Sequence, residues 1–255
     1  MSGHSKWHTI KHAKEAADAK RGAAFTKLTR EIIIAVREGG ASTDANYRLR
    51  LAVQKARDSN MPMDNIDRAI SKGSGATSGG MVEMVMEGYG PGGVAIMVNA
   101  TTDNHNRAVQ EIRNVFNRSG GSLGENGCVS WLFQSRGVIT VKLEKGMDPD
   151  ELGLKAIDAG ADDVATEGDY VEIFTRPDAL EAVRKALVDQ KVAVESAEVS
   201  MIAKQMVALE EKAAFQTLRM LEKLEELDDV QSVASNADFS DDIVEKYHSG
   251  ARLNV

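Results

Sequence analysis

Residues 137–199 read GVITVKLEKGMDPDELGLKAIDAGADDVATEGDYVEIFTRPDALEAVRKALVDQKVAVESAEV. Val138 to Leu143 is rich in β-branched residues and follows a glycine, which predicts a strand. Asp148-Pro149 supplies an N-cap and then a proline where a first helical turn tolerates it; Leu152 and Ala156 carry the apolar face on to Gly160. Two strands follow, near Asp163 to Glu167 and Tyr170 to Thr175. Pro177 begins a second helix with Leu180, Val183 and Leu187 on one face, and Val192 to Val199 returns as a strand. The order is βαββαβ, the ferredoxin-like pattern, in which two helices cover one face of an antiparallel sheet.

Outward from this block the periodicities change. On its N-terminal side, Cys128 to Phe133 alternates and predicts a strand with Val129, Trp131 and Phe133 on one face. Asp103 is placed to cap a helix whose face is Val109, Ile112 and Phe116, ending near Gly120-Gly121. Met81 to Tyr89 and Val94 to Thr101 read as strands around the turn Gly90-Pro91-Gly92-Gly93. Before Gly73 to Gly80 (GSGATSGG, a linker composition) the pattern is helical. Phe25, Leu28, Ile32 and Val36 mark a helix from about Ala23 to Glu38. Leu49, Val53 and Ala56 mark a second from about Asn46 to Asp58. Met63, Ile66 and Ile70 mark a third that stops at Gly73. On the C-terminal side come a strand near Met201 to Val207, a long helix with Leu218, Leu221 and Leu224, a strand at Val230 to Ala234 and a polar tail. These late elements have too few partners to fold alone, so they are expected to return to the sheet begun at Met81. The fold class is α+β, a helical bundle followed by two α/β domains, at least one ferredoxin-like. The expected domains are 1–78, a discontinuous 79–134 plus 201–240, and 135–200.

The 255 residues are 42% hydrophobic and 27% charged, an ordinary globular composition. Cys128 is the one cysteine, so no intrachain disulfide exists and the residue matches a reducing compartment. No apolar run reaches membrane-spanning length and MSGHSKWHTIKHAK lacks an apolar signal core, which together give the expectation of a cytoplasmic protein with no membrane partner. The net charge of −8 is unevenly spread. Residues 1–75 hold 14 Lys/Arg against 8 Asp/Glu, whereas the remainder holds 17 against 31. A basic end on an acidic body attracts polyanions at that end alone, or else docks on its own body.

Two enzyme motifs occur by letter only. Gly88, Gly90 and Gly93 spell GxGxxG, but a dinucleotide fingerprint needs a helix next and a strand follows here. Gly120, Ser122 and Gly124 spell GxSxG, but a nucleophile elbow runs from strand to helix, the reverse of this order. His4, His8 and His12 share a helical face with Glu15 and have zinc-compatible spacing, yet each ring lacks an orienting carboxylate, so no metal is assigned. His105, in DNHNR, has no nucleophile placed beside it, and Asp162, Asp163 and Glu167 read as solvated turn charges rather than an acid–base pair. The expectation is a non-enzyme with no catalytic residues, no cofactor and no small-molecule substrate.

The positive signal is GHSKWHTIKHAKEAADAKRGAAFTKLTRE. Lys6, Lys11, Lys14, Lys20, Arg21, Lys27 and Arg30 recur every few residues, and such cations neutralise phosphates and release counterions. Trp7 stands among them, available to stack on an unpaired base or else to pack into the bundle.

These residues, GHSKWHTIKHAKEAADAKRGAAFTKLTREI, resemble the opening of the YebC family. So do NYRLRLAVQKARDSNMP, EGYGPGGVAIMV, TTDNHNRAVQEIRNVFNRSGGSLGENGCVSWLF and SAEVSMIAK, in that order, from Gly3 to about Ala237. The resemblance implies a helical N-terminal domain and two α/β domains, the middle one built from two chain segments. It implies transcriptional regulators that bind DNA, and also relatives acting in translation on the ribosome, including the mitochondrial translational activator of cytochrome oxidase. Gly3, His4, Ser5, Lys6, Trp7, Lys11, His12, Lys14, Lys20, Arg21, Phe25 and Lys27 fall in the shared opening motif; His8 and the tail after Asp238 do not. The expected nucleic-acid-binding residues are therefore Ser5, Lys6, Trp7, Lys11, His12, Lys14, Lys20, Arg21, Lys27 and Arg30. The partner is nucleic acid: DNA in the family description, or ribosomal RNA and the ribosome, which the charge layout fits equally well.

Overall fold

The computed structural model describes residues 18–75, 80–144 and 146–248. Three helices come first: α1 (Asp18–Gly39), α2 (Tyr47–Asp58) and α3 (Met63–Ser74). Their apolar stripes close on one another through Leu28, Ile32, Val36, Leu49, Val53 and Ile66, all buried. Asn46 caps α2, its side-chain oxygen accepting from the Leu49 N–H at 3.0 Å, and its amide donates back to the carbonyls of Ala35 and Gly40. One side chain thus satisfies the start of α2 and the end of α1. Gly73, expected to stop the third helix, lies inside it. A Cβ there would come within 2.7 Å of the Val36 Cβ and 3.0 Å of the Ile33 carbonyl, so the glycine serves close helix packing.

Strands β1 (Val82–Tyr89) and β2 (Ala95–Thr102) form a hairpin through the Pro91–Gly93 turn, where Gly92 and Gly93 take positive φ. Helix α4 (His105–Arg118) leads to β3 (Ser122–Leu123), which pairs with the end of β1. Asn104, not Asp103, caps α4, accepting from the Arg107 N–H at 3.1 Å. The chain then makes the second sheet: β4 (Phe133–Lys142), α5 (Pro149–Asp158), β5 (Asp163–Glu167), β6 (Tyr170–Thr175), α6 (Leu180–Asp189) and β7 (Val194–Ala203). Its strand order is β5-β6-β4-β7, every neighbouring pair antiparallel, which is the ferredoxin-like arrangement. Leu152 and Ala156 of α5 and Leu180, Val183 and Leu187 of α6 bury against Ile139, Val141 and Ile173.

After β8 (Val207–Ala208) and α7 (Glu211–Glu225), strand β9 (Val230–Ser235) pairs with β2 and completes the first sheet in the order β3-β1-β2-β9. Ile96, Val98 and Ala100 face α4 and α7; Ala95 and Met97 face the other way, under Val129 and Phe133. β10 (Ala237–Asp238) pairs with β8 and precedes α8 (Asp241–His248).

Three further sequence expectations are corrected. Residues 192–199 and 201–207 are not two strands; β7 runs as one strand from Val194 to Ala203, paired with β4 on both sides of a register shift at Glu195. Cys128 to Phe133 is not a strand, since a 3₁₀ turn at Ser130–Leu132 swings Trp131 into solvent (64% exposed) while Val129 and Phe133 are buried. The polar tail contains α8, and Phe239 and Ile243 are buried in the core of the first sheet.

Candidate nucleic-acid interface

Ser5, Lys6, Trp7, Lys11, His12 and Lys14, together with the histidine face at His4, His8 and His12, lie outside the described residues. Lys20 and Arg21 belong to α1, but their side chains also fall outside the description. Lys27 and Arg30 are fully described, and both meet the acidic body. One helical turn apart on α1, they reach the C-terminal end of α7, where the last carbonyls lack intrahelical donors and carry partial negative charge. The Lys27 ammonium donates to the Glu225 carbonyl. The Arg30 guanidinium donates to the Asp228 carbonyl and pairs with the Asp229 carboxylate at 3.0 Å.

Asp229 is almost wholly buried (2% exposed) and acts as a hub. Its carboxylate also accepts from Arg107 at 2.8 Å and from the Thr102 hydroxyl at 2.9 Å. Its carbonyl accepts from the Thr101 N–H at 2.7 Å. Arg107 bridges onward to Asp103 at 3.0 Å. The TTDNHNR stretch is thus the socket that holds Asp229 for Arg30, and His105 stands exposed beside it. Nothing local in the sequence links Asp229 to residues 102, 107 and 30.

Further along the helices the pattern repeats. Lys55 pairs with Glu198 of β7 at 2.9 Å and with Glu31 at 3.6 Å, and these two carboxylates hold its ammonium above the ordinary lysine range. Arg48 pairs with Glu83 of β1 and with Glu38, and Arg37 donates to the Met81 carbonyl. From Lys27 to Lys55, then, cations of the helical unit tie it to both sheets. Among the described residues Arg57 and Lys72 form no ion pair and are exposed.

The loop after β3 closes over a second buried acid, which belongs to β1. Glu87 (6% exposed) accepts from the N–H groups of Gly127, Val129 and Ser130 at 2.8, 2.8 and 2.7 Å. Burial alone would raise its carboxyl; the three backbone donors overcome this and hold it below the ordinary carboxylate value. Burial and the nearby Glu87 charge push the Cys128 thiol up, which disfavours a reactive thiolate.

The TACO1/YebC protein N-terminal domain profile matches residues 5–76, and the TACO1/YebC second and third domain profile matches residues 81–237. The chain belongs to the TACO1/YebC family. A probable transcriptional regulatory protein of Dehalococcoides mccartyi is 60% identical over 252 residues, covering 98% of this chain and all of the relative. A protein of the same description from Chloroflexus aggregans is 53% identical over 252 residues, again covering 98% of this chain and all of the relative. The crystal structure of a conserved hypothetical protein from Aquifex aeolicus superposes with a TM-score of 0.83 at 44% identity, covering 89% of this chain and 95% of that one.

In this TACO1/YebC chain the decoy motifs have plain structural uses. Gly88, Gly90 and Gly93 belong to the β1–β2 hairpin, and Gly120, Ser122 and Gly124 lead from α4 into β3 and its loop. Among the described residues no cluster of three metal-ligating side chains occurs, and no helix is long and apolar enough to cross a membrane. Glu87 and Asp229 are the notable residues that the sequence left unmarked, and Trp131, expected on a strand face with Val129 and Phe133, is exposed instead. Glu87 and Trp131 lie in blocks shared with the family, whereas Asp229 lies in none of those blocks.

Proposed function

We propose that this protein is a non-enzymatic, nucleic-acid-binding regulator of gene expression whose contact is the basic opening, with Ser5, Lys6, Trp7, Lys11, His12, Lys14, Lys20 and Arg21 at its centre. The observation that carries the reading is the charge division: residues 1–75 are net positive on a strongly acidic remainder. Phosphate attraction is additive and independent of sequence, so a basic end on a polyanion-repelling body binds a nucleic acid end-on. Lys27 and Arg30, bound to the α7 end, hold the base of that opening to the body. Relatives named as probable transcriptional regulatory proteins support the regulatory role, and DNA is the partner that this reading takes. The alternative is ribosomal RNA, favoured by the same layout: a basic tip enters a ribosomal cleft while acidic sheets stay outside.

The test is a mobility shift with upstream duplex DNA across a salt series, set beside co-sedimentation with ribosomes. Neutralisation of about five phosphates on a duplex gives a log K against log salt slope of roughly −4 to −5. Reversing Lys11, Lys14 and Lys20 to Glu flattens the slope; an unchanged affinity and slope rejects the basic opening as the contact. Salt-stable ribosome association without a sequence-selective shift assigns the protein to translation.

A further inference from the structure

Trp131 and Tyr89 are the two aromatic side chains that stand most exposed among the described residues, at 64% and 39%. They come from distant parts of the chain, yet both donate to one carbonyl: the Trp131 indole N–H to Cys128 O at 3.1 Å, and the Tyr89 hydroxyl to the same oxygen at 3.0 Å. The loop beneath them is held by hydrogen bonds. Glu87 pins Gly127, Val129 and Ser130 from below, and the Lys204 N–H donates to the Leu132 carbonyl at 2.8 Å. The Lys204 ammonium donates to the Trp131 carbonyl at 2.8 Å and, among the described residues, forms no ion pair. An indole that folding could have buried is instead fixed in solvent beside a second ring and a cation.

We infer that Trp131, Tyr89 and Lys204 form a second nucleic-acid contact, a stacking platform for one unpaired base with Lys204 meeting its phosphate. Every base has a π-face, and aromatic stacking needs the base to be out of a duplex. The polar ends of both rings are already bonded to protein, so their faces are what the site offers. Preorganisation lowers the ordering cost of binding. A protein partner would call for a broader apolar centre, of the order of 800 Å² a side. Here the other strongly exposed apolar residues of β1, Val82 and Val85, sit towards the opposite end of that strand from Tyr89. Glu125 of the same loop acts on Cys128 as a negative charge and opposes a longer run of phosphates there. The inference takes its polymer class from the reading above but does not depend on the basic opening.

Two measurements on the full chain test it. With Trp7→Phe, Trp131 is the sole tryptophan, and its emission is followed during titration with a 20-nucleotide oligo(U) RNA and with a matched duplex. The single strand quenches Trp131 and the duplex does not. In the Trp7-containing protein, Trp131→Ala weakens oligo(U) binding about tenfold, Trp131→Phe restores most of it, and Lys204→Glu weakens it too. An unchanged emission together with wild-type affinity in Trp131→Ala overturns the platform and leaves that surface to a protein partner. If Trp131→Ala weakens binding while the Lys11, Lys14 and Lys20 reversals do not, the platform stands and the basic-opening reading falls. The converse pattern sinks the platform alone.

Discussion

At Asp229 one carboxylate meets two arginines from different parts of the chain, Arg30 and Arg107, inside an almost closed site. Removing a buried acid leaves its cations unpaired, so Asp229→Ala lowers unfolding free energy by about 2–4 kcal/mol in a denaturant titration. Arg30→Ala costs less, and the double mutant is non-additive by about 0.5–3 kcal/mol, which a double-mutant cycle reads directly. Glu87 makes a different prediction because backbone groups are its partners. Its folded-state carboxyl lies below the ordinary value. Its stabilising contribution is therefore complete above the unfolded carboxylate pKa and is lost as pH falls through the folded value. Glu87→Gln costs about 1–3 kcal/mol at neutral pH, and its difference from wild type shrinks on acidification below that carboxylate range. A difference constant down to strongly acidic pH would show that Glu87 is not held as the anion.

Among the elements, α1 and α3 are set by one glycine and the first sheet by its last helix. Alanine at Gly73 gains about 1 kcal/mol in helix propensity, but the new methyl meets a backbone carbonyl and a β-branched side chain. Overpacking costs about 1–3 kcal/mol, so Gly73→Ala is net destabilising, measured as a lower denaturation midpoint. Helix α8 lies beyond the family match, which ends at residue 237. Even so, Ile243 is buried, and Tyr247 packs tilted against Phe215 with ring centroids 5.8 Å apart and donates to Glu222 at 2.5 Å. Burial and the Glu222 charge hold the Tyr247 phenol protonated well beyond its ordinary range. Truncation after Ser240 therefore lowers stability by about 2–4 kcal/mol, seen as a reduced Tm. The periodicity of Leu218, Leu221 and Leu224 made α7 readable; α8 is only eight residues long and carries two acids in its first turn, so its pattern reads as a tail.

Across the whole molecule, the helical unit is joined to the sheets largely by charge: Arg30 to Asp229, Lys55 to Glu198 and Arg48 to Glu83. Hydrophobic contact also contributes where Leu51 packs towards the second sheet's core, and the Tyr47 hydroxyl adds a hydrogen bond to the Pro177 carbonyl at 3.2 Å. Arg30→Glu with Lys55→Glu places like charges at two of these joints and raises the radius of gyration in small-angle scattering, while circular dichroism keeps the secondary structure. An unaltered scattering profile would assign the docking to the apolar contacts. The sequence could present docking and polyanion binding only as alternatives for one basic end. The structure shows the docking half, in which Lys27, Arg30, Arg37, Arg48 and Lys55 meet the body; the cations up to Arg21 carry the proposed nucleic-acid contact.

What the sequence determined by itself was local and periodic. The βαββαβ order of residues 137–199, the three amphipathic helices, the hairpin at Gly90-Pro91-Gly92-Gly93 and the charge asymmetry all follow from spacing and composition, because each depends on neighbours within a few residues. The family followed from blocks of residues in order. Only the tertiary structure decided which of two adjacent residues capped α4, that β7 ran through Ala203, and that Trp131 faced water although its alternating neighbours did not. Those outcomes hang on partners far away in the chain: β4 for β7, Glu87 for the Trp131 loop, Asp229 for Arg30. A local pattern specifies an element's face, but which charge or carbonyl waits there is set by the packing of segments up to about two hundred residues apart.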